Sequence, residues 1–203
     1  MIVTNILLVT YKDEINTIAF IQELPPSHRK IRLFGDLRFF LYIWKKWNWM
    51  KPLRIYIDTS VFGGYYDTEF NKETKLLFKK IVNGEFNVVI SDLTQNELLN
   101  APKNVRDLLK DLKIKNVEII SVTDEEISLA TNYVTEKVVG QTSFEDCIHI
   151  ATATTNHVDI LVSWNFKHIV NVIRIRGYNS VNLKNGYHSI EIRSPKDLIY
   201  NED

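Results

Sequence analysis

Four short runs are apolar along their whole length rather than at alternate positions: RIYID (54–58), NVVIS (87–91), VEIISV (117–122) and DILVSW (159–164). Strands that read this way are covered on both faces, which is the mark of a parallel sheet between layers of helix. The intervening segments agree. Residues 72–83 (KETKLLFKKIVN) place Leu76, Leu77, Lys80 and Ile81 on one helical face. Residues 93–100 predict a short helix halted before Pro102, and 103–113 predict another. Thr123 followed by Asp-Glu-Glu opens a helix to about Lys137, and 143–156 predict one more. The tail over 177–199 predicts one or two edge strands, near 189–193, and a last helical turn after Pro195. The expected fold is α/β, a three-layer α/β/α domain around a central, mainly parallel sheet.

The 203 residues suit one domain with an appendage, and a hydrophobic content of 45% is enough for a core. Basic and acidic residues are equal at 25 each, so the balance does not indicate a nonspecific nucleic-acid binder. The single cysteine, Cys147, has no disulfide partner within the chain and reads as core, not nucleophile. The opening MIVTNILLVT lacks the basic flank and cleavage site of a signal peptide, and no apolar run reaches the roughly 18 residues of a membrane span. A soluble, cytoplasmic protein without membrane association is expected.

Charge is divided unevenly. Residues 1–50 carry 7 basic and 4 acidic residues, and three of the four tryptophans (Trp44, Trp47, Trp49) lie there. The boundary is expected at Trp49-Met50-Lys51-Pro52, giving an N-terminal extension, 1–50, and a main domain, 51–203. Within the extension, 2–9 predict a strand and 13–24 a short helix stopped by Pro25-Pro26. The aromatic and basic run LRFFLYIWKKWNW (37–49) fits three readings: an accessory segment packed on the main domain, a surface for a partner or RNA, or sequence upstream of a true start at Met50.

In a right-handed crossover the C-terminal ends of strands and the N-terminal turns of helices share one edge of the sheet, where open α/β folds bind ligands. Asp58 ends the first of the four strands. Glu97 is expected in the first turn of the helix after the second, Asp146 in the first turn of the helix before the fourth, and Asn165 follows the fourth. Taken singly, Glu97 and Asp146 fit helix caps and Asp58 fits a turn. Together they predict a cluster of carboxylates with no basic partner nearby in sequence, whose repulsion a divalent cation relieves. Oxygen ligands without Cys or paired His point to Mg²⁺ or Mn²⁺, and such a site suits phosphodiester hydrolysis. Thr59 and Ser60 then serve as hydroxyls holding a metal-bound water or a carboxylate, and Gly63-Gly64 allow a tight turn beside them.

The segments IYIDTSVFGGYYD (55–67), VVISDLTQNEL (88–98), SFEDCIHIATA (143–153) and ILVSWNFKHI (160–169) resemble the PIN-domain nucleases, in particular the VapC-like toxins of toxin–antitoxin pairs. The resemblance covers residues 53–175 and leaves 1–50 unexplained. It implies metal-ligating, catalytic roles for Asp58, Glu97 and Asp146, with Ser60 as the hydroxyl neighbour. The family's fourth position, often Asp, falls on Asn165, which removes a negative charge and bears on a second metal. It also implies endoribonuclease activity on an RNA substrate, a protein antitoxin that blocks the site, and dimerisation.

Other polar residues have plainer readings. His149 lies one helical turn beyond Asp146 and reads as a packed, satisfied histidine. Lys167, His168, Arg174 and Arg176 fit either solvated surface or phosphate contacts. Asp92 reads as turn or cap chemistry, and Glu145 points away from Asp146. Two further functions compete. An aspartate-nucleophile phosphatase also opens on a strand ending in Asp, but its usual partner acid is Ser60 here. A catalytically degenerate domain that binds RNA or protein fits Asn165.

Overall fold

The computed structural model describes residues 52–114 and 117–199 in full and, by backbone alone, three strands nearer the N-terminus. The chain forms two compact units, Met1–Lys51 and Pro52–Asp203. In the first, β1 (Asn5–Tyr11), β2 (Glu14–Ile21) and β3 (Arg32–Leu33) make an antiparallel sheet in that order. The helix expected over 13–24 is therefore a strand. EINTIAFI is rich in β-branched and aromatic residues, and β1 ends close enough in sequence to pair with it, Leu8 opposite Ile18. The aromatic and basic run 37–49 lies outside the described residues.

The second unit holds a parallel five-stranded sheet. Its strands are β4 (Leu53–Ile57), β5 (Phe86–Ser91), β6 (Val117–Ile120), β7 (Ile160–Val162) and β8 (Glu191–Arg193), in the order β6-β5-β4-β7-β8. The first strand is thus central. The chain builds outward to β6, then returns to β4 and builds the other way. The crevice at such a reversal, between β4 and β7 here, is where an open sheet has room for a ligand.

Helices on both faces explain the unbroken apolar strands. Ile55 and Ile57 pack with Val61 and Phe62 of α1 (Thr59–Gly64), with Leu77, Phe78 and Ile81 of α2 (Asn71–Val82), and with Leu198 near the C-terminus. On the other face Tyr56, Val89 and Leu161 pack with Leu129 and Tyr133 of α6 (Asp124–Thr135), Ile150 and Ala151 of α7 (Phe144–Thr155), and Tyr178 and Val181 of α8 (Val172–Lys184). Thr123 and Glu126 form the capping box that starts α6. Between β5 and β6 the chain forms α3 (Asp92–Leu99), α4 (Lys103–Arg106) and α5 (Leu108–Asp111).

Four local expectations need correction. The helix over 103–113 is split into α4 and α5 at Asp107. The start of the tail, for which no helix was expected, belongs to α8, which the Asn171 side chain caps and whose Gly177 lets Val138 approach; an added Cβ there would lie 2.7 Å from Val138 Cγ1. The edge strand is β8, followed by α9 (Pro195–Ile199). Gly63 and Gly64 are helical and make no tight turn: Gly64 is small because Trp164 lies against it. Glu97 is the sixth residue of α3, not in its first turn; the cap is Ser91, which accepts the Thr94 N–H. Among the described residues no helix is long and apolar enough to cross a membrane.

Candidate active site

Asp58 directly follows β4, and its backbone N–H continues the sheet by bonding to Val162 O at 3.0 Å. The residue after β4 is thereby held beside the residue after β7, Ser163. Asp58 Oδ2 accepts from Ser163 Oγ at 2.7 Å and from Ser60 Oγ at 2.5 Å. Each hydroxyl also accepts a backbone N–H from the loop that leaves β7: Trp164 N–H to Ser60 Oγ and Asn165 N–H to Ser163 Oγ, both at 2.9 Å. Both hydroxyl protons are thus aimed at one carboxylate oxygen. Asp58 is only 6% exposed, and its other oxygen, Oδ1, faces His149 Nε2 at 3.8 Å, beyond hydrogen-bond reach.

Glu97 comes from α3 and is gripped from two sides. Thr59 Oγ1 of α1 donates to Glu97 Oε2, and His149 Nε2 of α7 lies 3.2 Å from Oε2 and 3.3 Å from Oε1. Burial raises the Glu97 pKa, but the His149 contact and the Thr59 hydrogen bond lower it by more, so the carboxylate stays ionised. Burial likewise lowers the His149 pKa, yet Tyr56, Glu97 and Asp58 together drive it above the ordinary histidine value.

Asp146 is the third residue of α7, one turn before His149. Its Oδ1 accepts from Asn165 Nδ2 at 2.9 Å. Asn165 Oδ1 accepts the His168 N–H at 3.0 Å, so the amide oxygen is already committed to the loop. Burial raises the Asp146 pKa and the Asp58 charge adds to that, against the lowering effects of His168, His149 and Asn165. The two aspartates therefore feel one another's charge. Glu145 is exposed, Asp67 accepts the N–H of Glu69 in a turn, and Asp92 accepts the N–H of Val122.

The four expected positions thus meet at the crevice between β4 and β7, with Thr59 and Ser60 each donating to a carboxylate. Sequence reading missed Ser163, although its place after β7 mirrors that of Asp58 after β4. It also favoured packing over a place at the site for His149, whereas the ring is both packed and turned toward two acids. Among the described residues no three His, Cys, Asp or Glu side chains form a closed cation cage. What is present is a pair: Asp58 and Asp146, each with one oxygen held by a protein donor and the other taking no hydrogen bond among the described residues. Such a donor set fits a hard divalent cation bound through two carboxylates, its other positions filled by water or phosphate. A hollow of about 580 Å³ at the opposite edge of the sheet, lined by Leu53, Phe86 and Ile160, holds none of these acids.

An aromatic group and a basic group flank the crevice. Phe70 stacks on Trp164 with centroids 4.5 Å apart, and Phe166 packs on Trp164 at 5.8 Å while remaining 48% exposed. Lys167 is exposed, and Arg174 Nη1 donates to His168 Nδ1 at 3.0 Å.

The PIN domain family model matches residues 55–165, from the second half of β4 to Asn165. Among curated proteins none matches. The chain is similar to solved structures, among them the following. A toxin–antitoxin complex from Klebsiella pneumoniae is 18% identical, covering 56% of this chain and 88% of its own, with a TM-score of 0.41. The sarcin-ricin loop cleaving toxin VapC20 of Mycobacterium tuberculosis is 18% identical, covering 53% and 86%, with a TM-score of 0.41. VapBC2 from Rickettsia felis, bound to a DNA fragment from its promoter, is 13% identical, covering 70% and 98%, with a TM-score of 0.42. The family match spans more than half of the 203 residues and contains Asp58, Glu97, Asp146 and Asn165, and the chain belongs to the PIN domain family.

Proposed function

We propose that this protein is a divalent-metal-dependent endoribonuclease of the toxin–antitoxin type. The observation that carries the reading is the Asp58–Asp146 pair at the crevice between β4 and β7, each acid hydrogen-bonded through one oxygen only. Asp58 and Asp146 would hold Mg²⁺ or Mn²⁺, with Glu97 and Asn165 alongside. When bound, the cation lowers the pKa of a water and offsets charge on the phosphate.

The chain's own residues do the rest by placement. Ser60 and Ser163 fix the Asp58 carboxylate plane, Asn165 fixes Asp146, and Thr59 with His149 fixes Glu97 as an ionised group able to take a proton from water. Lys167 and Arg174 supply positive charge for phosphates, and exposed Phe166 supplies a face for a base. A protein antitoxin covering the crevice, a homodimer and a cytoplasmic location belong to the same reading. Val172 and Ile173, 67% and 82% exposed at the start of α8, offer apolar surface for such a partner. Residues 1–50 are taken as a separate extension.

The alternative, a degenerate domain that only binds RNA or protein, is favoured by one observation: Asn165 uses its amide oxygen within the loop. A labelled single-stranded RNA separates the two. The nuclease cuts it with Mg²⁺ or Mn²⁺ and stops in EDTA. A binding module leaves it intact and binds it equally with and without metal.

A further inference from the structure

Behind Glu97 runs a buried polar chain that packing alone does not require. Tyr56, in the middle of the central strand, is fully buried, and a phenylalanine would fill nearly the same space. Its hydroxyl instead meets Ser91 Oγ at 2.6 Å, His149 Nδ1 at 2.7 Å and Thr94 Oγ1 at 3.2 Å. His149 is 2% exposed, and its far nitrogen faces only carboxylates.

Donor counting fixes the end of the chain at Glu97. An ionised carboxylate only accepts, so His149 Nε2 carries a hydrogen. On the far side of the ring Nδ1 bonds to the Tyr56 hydroxyl, which also meets Ser91 and Thr94, and Ser91 Oγ in turn accepts the Thr94 N–H. The chain of contacts is then Ser91 and Thr94, Tyr56, His149, Glu97. It begins at the end of β5, crosses β4 and ends in the crevice. Glu97 needs such a hold. Its neighbours on α3, Gln95 and Asn96, are exposed, and a glutamate on that surface has three side-chain torsions free to swing it into water.

We infer that Tyr56 and His149 are a positioning pair: Tyr56 orients the His149 ring, and the ring holds the Glu97 carboxylate beside Asp58. Only the kinetic arm of the test rests on the nuclease reading.

The test uses the full chain and the Nε2–H of His149. In His149→Gln the side-chain nitrogen falls near the place of Nε2 and keeps a donor for Glu97. In His149→Asn it falls near Nδ1 and reaches only Tyr56. Long-range ¹H–¹⁵N spectra without metal are expected to show His149 protonated at Nε2, with that resonance moved by Glu97→Gln and the Nδ1 resonance moved by Tyr56→Phe. With RNA and Mg²⁺, His149→Asn is expected to lower kcat about 100-fold and leave KM within about twofold, because a misplaced group loses rate rather than substrate. His149→Gln should recover kcat to within about tenfold of wild type. Equal kcat for the Asn and Gln variants, or an Nε2 resonance indifferent to Glu97→Gln, overturns the pair. Glu97 is partly exposed, so the spectral arm stands even if a His149 variant does not fold. A wild type that cuts no RNA refutes the nuclease reading, and the spectra then decide the pair alone.

Discussion

Asn165 donates from Nδ2 to Asp146 Oδ1 at 2.9 Å while its own Oδ1 accepts the His168 N–H at 3.0 Å. Only the oxygen of an amide can accept a backbone N–H, so the second bond fixes the orientation of the first. Asn165→Asp keeps the acceptor for His168 but replaces the donor to Asp146 with a like charge. In EDTA the variant should be less stable than wild type by about 1–3 kcal/mol, the cost of an unsatisfied or repelled buried group. Added Mn²⁺ should raise its Tm more than that of wild type, since only the folded site gathers the extra charge. Calorimetric scans with and without Mn²⁺ check this; identical shifts for the two proteins would contradict it.

Gly63 and Gly64 are neighbours in α1 but differ in what they face. A Cβ on Gly64 would lie 2.7 Å from Trp164 Cδ1 and Nε1, while one on Gly63 meets nothing within 4 Å. Trp164 cannot give way freely, because its Nε1–H bonds to Thr74 Oγ1 at 2.9 Å and its ring stacks on Phe70. Gly64→Ala should destabilise by about 1–3 kcal/mol through overpacking. Gly63→Ala should stabilise by about 0.5–1 kcal/mol, as alanine does in a helix. Urea unfolding of the two variants gives opposite signs if this packing is right.

Glu126 ties the start of α6 to the end of α7 from a position 4% exposed. Its Oε2 accepts from Thr123 N–H at 2.7 Å, and its Oε1 accepts from Thr155 Oγ1 at 2.6 Å. Burial raises its pKa, but the hydrogen bonds from Thr123 and Thr155 lower it by more, and the net direction is down. A carboxylate with a depressed folded pKa contributes stability that is complete above its unfolded pKa and lost as pH falls through the folded one. Glu126→Gln should therefore cost about 1–3 kcal/mol at pH 7, with the gap to wild type closing in acid. A gap that stays constant down to the acid transition would count against the charged network.

Cys147 is fully buried, and burial, with the Asp146 charge behind it, pushes its thiol up to about 12. The native protein should leave a thiol reagent unconsumed at pH 8 and react with it stoichiometrically once unfolded. Rapid native reaction would place Cys147 outside the core.

The central strands and the edge that carries the acids were legible because continuous apolar runs admit few architectures. Less legible were segments where tertiary contacts overrule local signals. In α8 the Gly177 that looks like a break is the contact point for Val138, and Asn171 supplies the cap. For β2 the antiparallel partner that settles strand over helix left no local signal. The places of Asp58 after β4 and of Asp146 in the first turn of α7 were legible from the strand and helix pattern. Ser163 was not, since a serine after a strand has no local signal, and its meaning comes from the Asp58 oxygen 2.7 Å away. His149 shows the same limit, because its three polar neighbours come from β4, from the residue that follows it and from α3.

The most direct test of the central claim is cleavage of a mixed RNA pool by wild-type and Asp146→Asn protein, each with Mg²⁺, with Mn²⁺ and with EDTA. Asparagine keeps the shape of the side chain and removes the charge. Metal-dependent cutting by the wild type is expected, abolished by EDTA and reduced about 100-fold or more in the variant, with the fold unchanged by circular dichroism. Cutting by Asp146→Asn at the wild-type rate, or cutting by the wild type that EDTA leaves untouched, would contradict it.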